Sequence, residues 1–333
     1  MVITILLSSF IFYFYQVIYS PNFLVDKENR YLFIPSGSSF EDVQQIIYNE
    51  GFVNDAVAFG ILAKFMNYDR LVKPGKYRIE KNSNNVQVIR KLRSGDQEPV
   101  RITFNNARLL SDVAAKLTIN LELDSMTFLA FLQSETIAQK YGFNNETFRC
   151  MFIPNTYEVY WTISAEQLIE RLNREYHRFW DEKRIARARN INLNPEQVTI
   201  LASIVQAETT HHEESSIVAG LYVNRLKRNM PLQADPTLIY AVGDFSIKRV
   251  LNIHKEIDSP YNTYKYAGLP PGPINFPSIY SIDAVLNFEQ HNYIYMCARE
   301  DFSGYHNFSS SLREHNNNAR KYQQALNRVK LYR

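Results

Sequence analysis

Two cysteines in 333 residues, Cys150 and Cys297, leave room for one disulfide and for no cysteine-built metal site. Dense charge of one sign is missing too. The net charge is +3 with 21% charged residues, and no Lys/Arg patch has the density that neutralising phosphates demands, which argues against nucleic acid as a partner. The cluster His211-His212-Glu213-Glu214 lacks the His-Glu-x-x-His spacing that sets two imidazoles on one helix face, so no metal and no cofactor is expected. From Met1 to Val25 charge is absent altogether. This apolar run is about as long as a bilayer crossing. It has no small-residue cleavage site and gathers Tyr and Phe toward its end, which predicts a retained transmembrane helix over 1–25 rather than a removed leader. What is present in quantity is core-forming material: 45% hydrophobic residues suffice for one large or two medium domains. The 22 Tyr and 21 Phe suit packing and sugar-facing clefts alike, so composition does not choose between them.

The order of signals after the apolar run predicts an α+β chain. Tyr31 to Ile34 reads as a strand, Pro35 to Ser38 as a turn, and Ser39-Phe40-Glu41-Asp42 as the capped start of a helix. Helices follow from Asn54 and Asn84, the latter ending before Gly95, with a strand after Pro74-Gly75 between them. About 70 residues on, the pattern recurs: Thr103-Phe104 answers Phe33-Ile34, Asp112-Val113 answers Asp42-Val43, and Leu129 and Leu132 answer Phe59 and Leu62. Late in the chain, polar and aromatic loops stand between apolar segments: Leu232 to Thr237, Tyr261 to Tyr264, and the proline-stiffened Gly268 to Ile274. Such loops line grooves, and they also simply make turns.

The most informative stretch runs from Asn194 to Arg228. Asn194-Pro195-Glu196-Gln197 has a cap, a proline at the first helical position and a glutamine placed to reach back, which together start a helix. On that helix Leu201, Ile204, Val205 and Glu208 share one stripe, so a carboxylate occupies a place suited to leucine. Two arrangements fit. The carboxylate either turns outward or pairs with a cation such as Arg225, or it is enclosed and protonated near neutral pH, as a general acid must be. A second helix, from Glu213 to Lys227, is acidic at its start and basic at its end, and it carries Gly220 and Asn224 on one face. Gly220 would admit a closely approaching backbone.

Taken in order, Leu201 to Thr209, Val223-Asn-Arg-Leu226, Leu232-Gln-Ala-Asp-Pro-Thr237, Tyr261-Asn-Thr-Tyr264 and Gly268-Leu-Pro-Pro-Gly-Pro273 resemble the MltG (YceG-like) family of endolytic murein transglycosylases. Phe152 to Tyr157, His306-Asn-Phe308 and Glu314-His-Asn316 extend the likeness over nearly the whole chain. The resemblance implies a single-pass protein of the bacterial inner membrane, with an anchor over 1–25, a small LysM-like α/β module over 26–98 and a larger mixed α+β catalytic domain over 99–333 lying outside that membrane. The implied partners are peptidoglycan glycan strands, the cytoplasmic membrane and peptidoglycan synthases. Glu208 matches the family's catalytic glutamate. Gln233, Asn262 and Thr263 are candidates to bind acetamido groups or position the ring and Tyr264 to stack on it, with Asp235, Thr237, His306 and Asn307 as further substrate-binding candidates. Two other functions fit parts of the pattern: a hydrolase using Asp235 as a second carboxylate, and a non-catalytic scaffold that binds peptidoglycan.

Overall fold

The structure is a computed structural model describing residues 2–329; Met1 of the expected anchor and residues 330–333 of the expected catalytic domain lie outside the described residues. The chain divides into two compact units. The first comprises residues 1–102, 117–128 and 156–168, and the second residues 103–116, 129–155 and 169–333. Helices and short strands are mixed as expected, and every sheet among the described residues has two strands.

The first unit opens with α1 (Val2–Tyr19), β1 (Pro21–Phe23), β2 (Arg30–Ile34), α2 (Phe40–Asn49), α3 (Ala56–Phe65), β3 (Gly75–Ile79), β4 (Ser83–Asn84) and α4 (Asn85–Ser94). Local chemistry sets the helix ends. Ser39 and Asp42 close a capping box on α2, Asp55 caps α3, and Gly95 ends α4 in the left-handed conformation that glycine adopts without strain. β2 and β3 pair antiparallel, Leu32 opposite Tyr77, and their inward faces join Val43, Ile47, Phe59, Leu62, Val88 and Ile89 in one core.

One expectation fails here. The apolar start does form a helix, but among the described residues no helix is long and apolar enough to cross a membrane. The physical reason lies at both its length and its end. Eighteen residues rise about 27 Å, short of the roughly 30 Å hydrocarbon core, and the last turn is fastened into the unit. Val17 is buried, its carbonyl accepts from Asn85 Nδ2 at 2.8 Å, and Asn85 in turn accepts from Asn22. The transmembrane helix, and the single-pass inner-membrane location that rested on it, are therefore not supported.

The strand, helix, helix order then recurs with β5 (Val100–Phe104), α5 (Leu110–Thr118) and α6 (Ser125–Leu132). Asp112 holds the N–H groups of Arg108 and Leu109 at the start of α5, much as Asp42 holds that of Ser39 at the start of α2. α7 (Glu135–Lys140), a 3-10 turn, β6 (Asn155–Val159), α8 (Ala165–Phe179) and α9 (Glu182–Asn190) follow.

The centre of the second unit is α10 (Pro195–Glu208), against which α11 (His212–Lys227), α12 (Asp235–Val242) and α14 (Ile279–Leu286) pack; α13 (Asn252–Lys255) is one short turn. Asn194 and Gln197 form the expected capping box on α10, and Leu201, Ile204 and Val205 are fully buried. Gly220 of α11 sits under the Glu289–His291 segment, where an added Cβ would lie 2.4 Å from the Glu289 carbonyl oxygen. Asn224 then holds that segment by donating to the carbonyls of His291 and Tyr293. This positions β7 (Tyr295–Ala298) and its antiparallel partner β8 (His306–Ser309), with α15 (Leu312–Arg328) packed on both.

Candidate active site

Glu208 is the last residue of α10 and faces a cavity of about 260 Å³. A fraction of its surface meets that cavity, and protein encloses the rest. Burial pushes its pKa up from 4.5 to about 7, and the negative charge of Asp235 adds to the rise. Two groups pull the other way: Tyr222, whose hydroxyl donates to Glu208 Oε1 at 2.7 Å, and the more distant positive charge of Arg225. Placement at a helix C-terminus, the negative end of its dipole, also disfavours the anion. The result is a carboxyl that carries its proton near neutrality and has one fixed donor ready for the anion left when the proton departs.

Of the two arrangements open to Glu208, the ion pair with Arg225 does not form. Arg225 is buried, and its guanidinium donates instead to the carbonyls of Ile294, Pro231 and Leu232 and to Gln233 Oε1. These bonds tie α11 to the Pro231–Gln233 loop and to the start of β7. Arg225 therefore shapes the cavity wall and acts on Glu208 only through its field.

The other expected residues fall into two groups. Gln233, Asp235, Tyr264 and His306 line the same cavity as Glu208. Gln233 is held in the left-handed region, φ 52°, by a bond from its N–H to the Thr263 carbonyl. An unbranched non-glycine residue there is strained, a condition that recurs where a side chain must be aimed. Asp235 Oδ1 accepts from the Tyr264 hydroxyl at 2.5 Å. Thr237, Asn262 and Thr263, by contrast, are buried and brace the loops from behind. Thr237 and Thr263 share a hydrogen bond at 2.8 Å, Ala234 N–H donates to Thr263 Oγ1, and Asn262 Nδ2 donates to the carbonyls of Lys255 and Ile257. Asn307, on β8, donates to Glu300.

His306 has a partner that spacing did not reveal. Glu214, buried in the first turn of α11, accepts from His306 Nδ1 at 2.9 Å and from its backbone N–H at 2.8 Å. This fixes the ring of a residue that lines the cavity and leaves Nε2 as its other polar ring atom. The neighbours of Glu214 are engaged as well: His211 stacks on Tyr305 with ring centroids 3.7 Å apart, and His212 packs against Tyr280. Among the described residues no group of three or more His, Cys, Asp or Glu is gathered to hold a metal ion. Both cysteines are free, Cys150 buried and Cys297 on the cavity wall.

The model of the YceG-like family matches residues 32–321. A Bacillus subtilis (strain 168) protein named endolytic murein transglycosylase is 30% identical over 305 residues, covering 87% of this chain and 83% of that one. A protein of the same name from Streptococcus pneumoniae serotype 2 is 28% identical over 299 residues; the match covers 80% of this chain and 53% of the pneumococcal one. The crystal structure of a YceG-like protein from Listeria monocytogenes superposes with a TM-score of 0.56 at 26% identity, covering 87% of this chain and 98% of that one.

Proposed function

The chain belongs to the YceG-like family, and from that premise we propose that it works with a single reacting carboxylate, Glu208. It is an endolytic murein transglycosylase, a lyase that cleaves within peptidoglycan glycan strands between N-acetylmuramic acid and N-acetylglucosamine and leaves anhydro-muramyl ends. The observation that carries the role of Glu208 is its enclosure: a carboxyl raised to about 7 is protonated over much of the working range and can donate to the glycosidic oxygen. As that proton moves, the bond from C1 to the leaving oxygen breaks. The carboxylate left behind is held by the Tyr222 hydroxyl. It then takes the proton of the muramyl C6 hydroxyl, whose oxygen closes onto C1. Glu208 ends protonated again, and no water is consumed. Hydrolytic glycosidases generally need a second carboxylate to act as base or nucleophile.

In this reading Asp235, held by Tyr264, supplies negative charge beside the sugar cation that develops at C1 and keeps the Glu208 pKa high. Gln233 and His306 offer hydrogen bonds to the sugar, and Thr237, Asn262 and Thr263 hold the loops that present them. We assign residues 26–98 a LysM-like role in holding glycan, which the β2–α2–α3–β3 arrangement, sharing one core with α4 and the end of α1, supports. Peptidoglycan synthases are proposed partners because they make the strand that this enzyme cuts. The test of the function is digestion of purified glycan strands with products identified by mass. Wild-type enzyme gives ends lacking one water relative to reducing ends, and Glu208→Gln, folded, loses about 100-fold or more in rate. A folded Gln variant with full rate would remove Glu208 from the mechanism.

A further inference from the structure

A second cavity, of about 340 Å³, is lined in part by the chain neighbours of residues that line the first. α10 contributes Gln206 and Ala207 to it and Glu208 to the first cavity; α12 contributes Pro236 to it and Asp235 to the first. Each of the two carboxylates thus lines the first cavity and is followed or preceded in the chain by a residue that lines the second, within the same unit. An enzyme that cuts inside a strand must hold sugars on both sides of the broken bond.

The floor of this second cavity is preorganised. Gln206 Oε1 accepts from Ser278 N–H at 2.7 Å and from Ser281, its amide nitrogen faces Asn275 Oδ1 at 3.3 Å, and Asn275 donates to the Ser203 carbonyl. One wall is aromatic: Tyr240 lies 4.7 Å from Tyr261 and 6.5 Å from Phe245, between ring centroids, and Arg149 braces both the Tyr240 hydroxyl and the Arg108 carbonyl. The lining holds one charged side chain, Arg108, whose guanidinium carbon sits 4.4 Å over the Phe245 ring. Among the described residues no carboxylate lies within ion-pair distance of it. Asp112, which feels its charge, already accepts from the N–H groups of Arg108 and Leu109. An arginine stacked on an aromatic face, with its donors free, presents a planar fork matched to a carboxylate.

We propose that this cavity is a second glycan subsite, and that Arg108 there binds a carboxylate carried by the strand's muramyl substituent. The proposal rests on the glycan-cleaving function above and deepens it. The test compares native glycan strands with the same strands after their carboxyl groups have been converted to neutral amides, using wild type, Arg108→Ala and Arg108→Glu. Expected on native strands is a loss of about tenfold or more in kcat/KM for Arg108→Ala, carried by KM, as fits one lost charge-assisted bond. On amidated strands wild type and Arg108→Ala should agree, and Arg108→Glu should prefer amidated over native strands. Calorimetric binding of native and amidated strands to Glu208→Gln, with and without Arg108→Ala, gives the same comparison without turnover. Equal KM for wild type and Arg108→Ala on native strands, or an equal loss on amidated ones, would overturn the role of Arg108 while leaving the function standing. Absence of anhydro ends with wild type would instead strike the function itself.

Discussion

Tyr222→Phe removes one hydrogen bond and almost no volume, and the consequence can be worked from the geometry. The Tyr222 hydroxyl donates to Glu208 Oε1 at 2.7 Å, and this bond stabilises the ionised form. A hydrogen bond to a charged group is worth about 1.5–3 kcal/mol, and each pKa unit about 1.4 kcal/mol. Loss of the bond should therefore raise the Glu208 pKa from about 7 by about one to two units. Since Glu208 must be protonated to act as acid, kcat/KM in the wild type falls as pH rises through about 7. In Tyr222→Phe that fall should move to higher pH, so the variant keeps its plateau rate into a range where the wild type has lost it. The plateau itself should drop, because the carboxylate formed in the reaction has lost its donor. The assay is release of soluble fragments from glycan strands between about pH 5 and 10. A folded variant whose alkaline limb stays in place or moves to lower pH would refute the assignment of Glu208 as acid with Tyr222 as its donor.

Three further outcomes follow from the same contacts. Glu208 has its pKa raised from 4.5 to about 7, so the folded state binds the extra proton between these values and stability is lost as pH rises through them; the penalty above about pH 7 is about 3 kcal/mol. Denaturant melts should accordingly show Glu208→Gln more stable than wild type at pH 8 and little different at pH below about 4.5. Glu214→Gln weakens the hold on His306, so KM for glycan should rise several-fold with the Glu208-controlled alkaline limb unmoved, and a shift of that limb would show that the pair works by another route. Gly220→Ala places a methyl against the Glu289 carbonyl and should cost about 1–3 kcal/mol, read as a lower melting temperature; unchanged melting would mean that the Glu289–His291 segment is not held as described.

The sequence was most legible where the chemistry is local. Asn194, Pro195 and Gln197 announce the start of α10, and the count from there places Glu208 on the buried stripe. Gly220 and Asn224, read as one face, do meet a single backbone segment. Contacts made across the fold left no periodic trace. Tyr222 reaches Glu208 only because α11 packs back on α10, and Glu214 and His306 meet from positions 92 residues apart. Arg225 was visible as a cation near Glu208, but the carbonyls of Pro231, Leu232 and Ile294 that capture it carry no side-chain signature. Polar loop residues were equally mute about direction: Gln233 and Tyr264 reach the cavity, whereas Thr237, Asn262 and Thr263 turn inward to hold backbone. The first helix was legible as apolar and helical. That its last turn is tied by Asn85, 68 residues later, was not, and this tie is part of why the expected membrane span fails.

Single-carboxylate chemistry is tested most directly by running the reaction in heavy-oxygen water and analysing the new glycan ends by mass. If the C6 hydroxyl is the nucleophile and Glu208 alone moves the protons, the ends are anhydro-muramyl and carry no label, and Asp235→Asn slows the enzyme without changing the product. Labelled reducing ends, with Asp235→Asn as inactive as Glu208→Gln, would instead assign water as the nucleophile and Asp235 as its base.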